Sequence, residues 1–309
     1  MSQPQSQRLI GIAALVLLIA CWGFVPVLLR DLTSAIDAWT ANGVRYPLSA
    51  MLYWPYLYRV YHQRQPSGER VLSRNLLIAC LVPALFSTLG QFFWAEAVYH
   101  LLASEVGFLI RSTTIVTIVG SMLLFRDERK LLSEPRFYVG VLLAAAGFVA
   151  FALFSGKSVT ASNSTGLAII LMCSLFFGCY ILSVRKCIPN VDPILAFAIV
   201  AQLCSIVLFA CMLLKGDYSA LASLSPREWL SLFVSSLLGI GIGHVLLYTA
   251  IVRLGAAVTT SCQSLMPFVT AAIASVMLGE SLVGYQWMAG VVIVIGALVL
   301  LSVKNAVER

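Results

Sequence analysis

Apolar residues run through this chain in long blocks, and polar residues are confined to short gaps between them. Nine blocks hold close to the 20 or so residues that a helix needs to cross a bilayer: 9–29, 75–99, 104–125, 137–154, 165–184, 193–214, 229–252, 256–278 and 285–303. A tenth, 39–60, is more polar, carrying Asn42, Arg45, Pro47 and Pro55. Its Trp39, Tyr53, Trp54, Tyr56 and Tyr58, with Tyr61 just after it, suit the two membrane–water interfaces, where amphipathic rings collect. The pattern predicts an all-α integral membrane protein of ten transmembrane helices. Connections stay within about 15 residues, too short for a soluble domain of its own. The first block is longer than a signal-peptide core and ends without a small-residue cleavage motif, so it is expected to stay as a span.

The order of polar landmarks repeats. Asp37, before the second block, is matched 155 residues later by Asp192, before the seventh. At the same offset Gly23 pairs with Gly178 and Arg30 with Arg185. Glu128, after the fourth block, pairs at an offset of 152 with Glu280, after the ninth. Two five-helix repeats are expected, 9–154 and 165–303. Because five is odd, the second must enter the membrane upside down relative to the first. Inverted repeats are a recurring plan of secondary transporters, with the substrate site near the midplane between them.

Composition agrees with the block pattern. Of 309 residues, 60% are hydrophobic and 11% charged, and the mean hydropathy is +0.94. A soluble fold of this size could not cover so much apolar surface. The net charge of +7 reflects topology and not a nucleic-acid partner, because Lys and Arg sit in the gaps. With the N-terminus inside, 14 of the 20 fall on the cytoplasmic side, 4 outside, and Arg45 and Arg111 within spans. This positive-inside bias puts both termini in the cytoplasm. Seven of the eight cysteines lie inside apolar blocks and Cys187 follows one. None form a CxxC pair or a metal-ligand spacing, and they are expected to act as small apolar residues.

Several residues resemble those of a known family. The Cys-Trp-Gly-Phe of the first block, with Trp22 and Gly23, is similar to the helix-one signature of the drug/metabolite transporter superfamily, specifically its EamA-type members. Tyr248 to Glu280 resembles that family's second-half pattern, matching at Gly255-Ala256, Pro267 and Leu278-Gly279-Glu280, with Gly290 and Gly296 beyond it. The first half departs from it: Ile115 stands where a proline would align with Pro267, and Arg126-Asp127-Glu128 replaces Leu-Gly-Glu. The resemblance covers nearly the whole chain. It implies a secondary active transporter, an exporter in the cell inner membrane, working by alternating access on a small polar or amphipathic metabolite such as an amino acid. Protons or a counter-substrate would drive it, the bilayer and the solute would be its partners, and it would be a monomer or weak dimer without a cofactor.

Arg111 is the most informative single residue. It lies near the middle of the fourth block, where a charge costs at least about 2.5–3.5 kcal/mol, so it should face the bundle interior or a water-filled cavity. Gln263 is its counterpart at an offset of 152. Together they could hold an anionic or carboxamide group of a substrate, since a guanidinium donates two parallel hydrogen bonds. The alternative is a structural arginine paired with a carboxylate or carbonyls. Arg45, one turn after Asn42, is a second candidate anion contact or a structural ion pair. His244 and Tyr248, among Gly239, Gly241 and Gly243, either line the path or pack structurally, and the same holds for Gln91 and Trp94 on the third block. Glu96, His100 and Glu105 surround the turn at the expected outer mouth. They could pass protons, because histidine titrates near neutrality, or could form only a wet rim. Glu128 and Glu280 read as helix-end or loop-tethering carboxylates.

No P-loop, HExxH, GxSxG or cysteine/histidine metal constellation is present. An intramembrane enzyme built on Glu96, His100 and Glu105 would lack an obvious nucleophile. A non-transporting scaffold would leave the buried cost of Arg111 without a purpose.

Overall fold

A computed structural model describes residues 5–63, 71–153, 161–189, 191–254, 259 and 262–307. The described residues are helical, and their connections are short. Six helical stretches are long and apolar enough to cross a membrane: Ser6–Leu32, Arg74–His100, Ala103–Leu124, Ser164–Cys187, Pro193–Lys215 and Pro226–Ile251. Shorter apolar helices cover Pro135–Phe151, Met266–Leu278 and Gly284–Leu300. Large apolar side chains point outward along the bundle, among them Leu123, Leu142, Ile206, Leu214 and Val276. Hydrocarbon is the solvent in which such a surface is stable, because helices satisfy their own backbone there. The protein is an integral, multi-pass membrane protein.

Helix α1 spans Gln5–Leu32. The weak block 39–60 is not one helix but two, α2 (Ala38–Met51) and α3 (Trp54–His62). Pro55 lies at the start of α3, where its missing N–H costs nothing. Asp37 starts α2 by accepting the amides of Trp39 (2.8 Å) and Thr40 (3.0 Å). Asp192 starts a later helix in the same way, through Leu195 N (2.9 Å), ahead of Pro193 at the first helical position. After α4 (Arg74–Ala79) and α5 (Leu81–His100), the fourth block is itself interrupted. It consists of α6 (Ala103–Leu109), a 3-10 turn at Ile110–Ser112 and α7 (Thr113–Leu124). Then follow α8 (Pro135–Leu153), α9 (Ala161–Cys187) and α10 (Pro193–Lys215). The eighth block is α11 (Pro226–Ser236), a π-helical turn at Leu237–Ile242 and α12 (Gly243–Leu254). Two more helices complete the described chain, α13 (Met266–Leu278) and α14 (Gly284–Val307).

Helices from the two halves of the chain pack against one another throughout. α1 lies against α12, α5 against α9, α2 against α10, α6 against α13, and α8 against α14. Small residues set these distances. A Cβ on Gly23 would come 2.9 Å from Val269 of α13, and one on Gly178 would come 2.5 Å from Val116 of α7. A Cβ on Gly243 would meet Trp22 at 2.1 Å, and one on Gly90 would meet Phe177 at 2.5 Å. In lipid the helices gain nothing by hiding apolar surface, so close packing of this kind has to hold them together. Two clusters form most of the core. One centres on Phe108, Phe151 and Leu101, with Trp94 against its edge. The other centres on Tyr46, Tyr53, Phe197 and Leu208, with Tyr248 against its edge.

Candidate functional site

Arg111 sits in the 3-10 turn that breaks the fourth block, two residues ahead of the start of α7. The ninth block is interrupted at the matching place, with a turn at Ser264–Leu265 before α13. The break in one helix faces the break in the other. Arg111 Nη1 reaches the Gln263 carbonyl over a long 3.4 Å, and Nη2 approaches the Met266 sulfur at 4.0 Å. Arg111 and Gln263 therefore meet, but through the main-chain oxygen of Gln263 and not through its carboxamide. The contact has a local cause: an interrupted helix exposes carbonyls at its C-terminal end, and a cation is favoured there. Nε of Arg111 is buried and has no hydrogen-bond partner, and the guanidinium forms no ion pair with a described carboxylate. Glu105, six residues earlier, has its carboxylate at the Leu102 amide (3.0 Å) and near Gln286 Nε2 (3.2 Å). Among the described residues, most of the donor capacity of a five-proton group is thus unused at the crossing of the two broken helices.

Arg45 lies elsewhere, 1% exposed, against the π-helical turn. A π turn releases carbonyls from the ordinary helical ladder, and side chains of α1, of α2 and of the turn after it take them up. Arg45 Nη2 donates to Ser235 O (3.1 Å), Ser49 Oγ to Ser236 O (2.7 Å), and the Tyr53 hydroxyl to Gly241 O (2.6 Å). Trp22 Nε1 donates to Gly239 O (3.1 Å). Ser236 Oγ returns a bond to Arg45 O (2.5 Å), and Asn42 reaches the Gln91 carbonyl (2.9 Å). Arg45 and Ser49 are spaced i, i+4 on one face of α2, and Tyr53 follows in the turn between α2 and α3. This ladder was not singled out from the sequence, although the polar stripe at 42, 45, 49 and 53 was its visible trace. Arg45 is thereby tied to the backbone of another helix through Nη2, although its Nε, like that of Arg111, is buried without a hydrogen-bond partner among the described residues.

His244 stacks flat on Phe197, with centroids 3.7 Å apart and planes 10° apart, and meets Trp22 edge-on at 5.2 Å. Tyr248 packs at the edge of the same aromatic cluster and Trp94 at the edge of the other. His100 and Glu96 pair at 3.4 Å, both about a quarter to a third exposed. Glu105 is 6% exposed and engaged as described above, so the three acidic and basic groups do not share one arrangement. Among the described residues no cluster of His, Cys, Asp or Glu has the makings of a metal site. Gly255-Ala256, Arg64, Arg70, Lys157 and Arg309 lie outside the described residues, as does the side chain of Glu128.

A bundle of apolar helices, broken in facing pairs and carrying an underused cation at the crossing, is the architecture of a membrane transporter. The comparisons name the family. The EamA-like transporter family matches residues 9–153 and again 164–302, and the chain belongs to it. It is similar to an uncharacterized transporter of Haemophilus influenzae, 25% identical over 242 residues, which is 77% of this chain and 79% of that one. A crystal structure with 19% sequence identity superposes with a TM-score of 0.60 over 99% of this chain and 100% of its own, a likeness of fold alone.

Proposed function

We propose that the protein is a secondary active transporter that exports a small polar or amphipathic metabolite, such as an amino acid, across the cell inner membrane. It works by alternating access, the two inverted halves rocking about a midplane site. Two facts support the inverted relation. The main helix pairings map onto one another when each helix is exchanged for its counterpart in the other half. The family also matches twice, once per half. The contact Gly23–Val269 has its counterpart in Gly178–Val116, and Trp22–Gly243 in Phe177–Gly90, at sequence offsets of 155 or 153. The charge count supports cytoplasmic termini. Labelling of Ser162→Cys by an impermeant thiol reagent from the cytoplasmic side only would refute both the orientation and the inversion.

The observation that carries the functional reading is Arg111, a mid-span guanidinium with no carboxylate partner among the described residues, whose donors face the crossing of the two broken helices. It is suited to a carboxylate or another anionic or carboxamide group. The test is flux into liposomes, screened across metabolite classes with and without a pH gradient. Arg111→Ala and Arg111→Lys should each cut uptake about 10- to 100-fold, the loss expected for a charge-assisted contact, while the protein still inserts and stays monodisperse. Gln263→Ala should matter less, because it leaves in place the carbonyl that Arg111 touches. Near-normal flux in Arg111→Ala refutes the site. Failure of both Arg111 variants to fold would show instead that the residue is structural.

A further inference from the structure

Glu280 occupies the turn between α13 and α14, 9% exposed. Its carboxylate accepts three hydrogen bonds from the start of the fourth block: Ala103 N at 2.9 Å, Ser104 N at 3.0 Å and Ser104 Oγ at 2.8 Å. The partners are more than 170 residues apart in sequence and belong to different halves of the chain. A carboxylate on adjacent N–H groups at a helix start is favoured by both charge and dipole. A parallel tie lies beside it, where Gln286 donates to Glu105 (3.2 Å) while Glu105 accepts the Leu102 amide. Gly279, at φ 67°, makes the reversal that presents Glu280, and the Glu280 amide closes α13 on Ala274 O (3.3 Å).

Beneath this clasp the packing is apolar. Val27 of α1, Ala103 of α6 and Ala274 of α13 meet, with Ile273 and Leu278 against them. The Glu280 tie is polar and sits at the rim, where water can replace it when it opens; it works alongside other polar ties between the halves, Arg227 to Asp31 (2.8 Å) and Ser231 to Asp31 (3.0 Å).

We propose that Glu280 is the latch of the outer gate, closed while the carrier is open to the cytoplasm and released whenever the outer side opens. This rests on the alternating-access reading. It gives Glu280 a place in the cycle beyond closing a helix end.

The test uses the full chain with its native cysteines replaced and one reporter, Thr113→Cys, which is half-buried two residues from Arg111. The protein is reconstituted in one orientation, and an impermeant maleimide is applied to one face at a time. With the latch intact, the reporter should be labelled from both faces. Labelling from one face only would overturn alternating access, and the latch with it. Adding Glu280→Gln should raise the external labelling rate about three- to tenfold, as charge-assisted bonds become neutral ones, and lower the cytoplasmic rate. A general loosening would raise both rates, and that result, or no change, overturns the latch. Bridging Ser104→Cys to Glu280→Cys with a short bis-thiol reagent should abolish external labelling and leave cytoplasmic labelling intact. Persistent external labelling of the bridged protein also overturns it. If Glu280→Gln fails to insert, Ser104→Ala, which removes one of the three bonds, must produce the same one-sided shift.

Discussion

The seam between α8 and α14 offers the most sharply defined perturbation. It is antiparallel and built from small residues: Gly140 faces Leu300, Ala144 faces Gly296, and Gly147 faces Ile293. A Cβ added at position 296 would lie 2.4 Å from the backbone N of Ala144 and 2.8 Å from its Cα. Ordinary contact is about 3.5 Å. No rotamer change relieves a clash with main chain, so the helices must part by about 1 Å. A gap of that size forfeits roughly a quarter to a half of each contact's attraction. In lipid no hydrophobic term offsets the loss, and overpacking of this kind costs about 1–3 kcal/mol. Gly296→Ala should therefore shift the folded–unfolded ratio about 5- to 100-fold, read by equilibrium unfolding in mixed micelles against detergent composition. Adding Ala144→Gly should recover little, because the nearest offending atom is backbone. The same logic gives the opposite result at Gly90, where the added Cβ would meet the Phe177 ring, and Phe177→Leu should restore most of the loss from Gly90→Ala. Stability of Gly296→Ala within about 0.5 kcal/mol of the parent, or full recovery by Ala144→Gly, would refute this account of the seam.

Two further outcomes follow from the capping and ladder contacts. Tyr53→Phe removes the donor to Gly241 O and strands a buried carbonyl of the π-helical turn, so it should cost about 1–3 kcal/mol in the same unfolding assay. A change below about 0.5 kcal/mol would mean that the turn satisfies itself. Burial pushes the Asp37 carboxyl up, but bonds from the Thr40 hydroxyl and from the amides of Thr40, Asp217 and Trp39 outweigh it and hold its pKa below the ordinary value. The stability it supplies is therefore present above the ordinary carboxylate pKa and lost as pH falls through the lowered one. Asp37→Ala should cost about 1 kcal/mol at neutral pH and nothing in strong acid; equal cost at both would exclude the cap.

Much of the fold is legible in the chain itself, because hydrocarbon leaves the backbone few options. Once blocks of about 20 apolar residues are present, helices follow. Asp37 and Asp192 were legible as repeat landmarks, and their caps act locally, through amides two or three positions away. The resemblance in Trp22-Gly23 and Leu278-Gly279-Glu280 named the family before any coordinates. The deep position of Arg111 was equally plain, since a lone arginine inside an apolar block has few places to go.

Other features depend on which helix lies opposite, and no local pattern encodes that. The block 39–60 is two helices because the Pro55 ring and the docking of Tyr53 on Gly241 together favour a turn at Leu52–Tyr53. Arg45 and Arg111 look alike as charged residues within apolar blocks. Only the packing separates them: Arg45 donates at 3.1 Å to a carbonyl beside a π turn 190 residues away, while Arg111 faces a helix break and reaches its carbonyl only over 3.4 Å. Glu105 and His100 are near neighbours in sequence, yet the turn between them sends Glu105 to Gln286 and His100 to Glu96. Long-range partners of this kind are chosen by the crossing of helices from opposite halves, where side-chain size sets how close two backbones come and so which polar groups can reach each other.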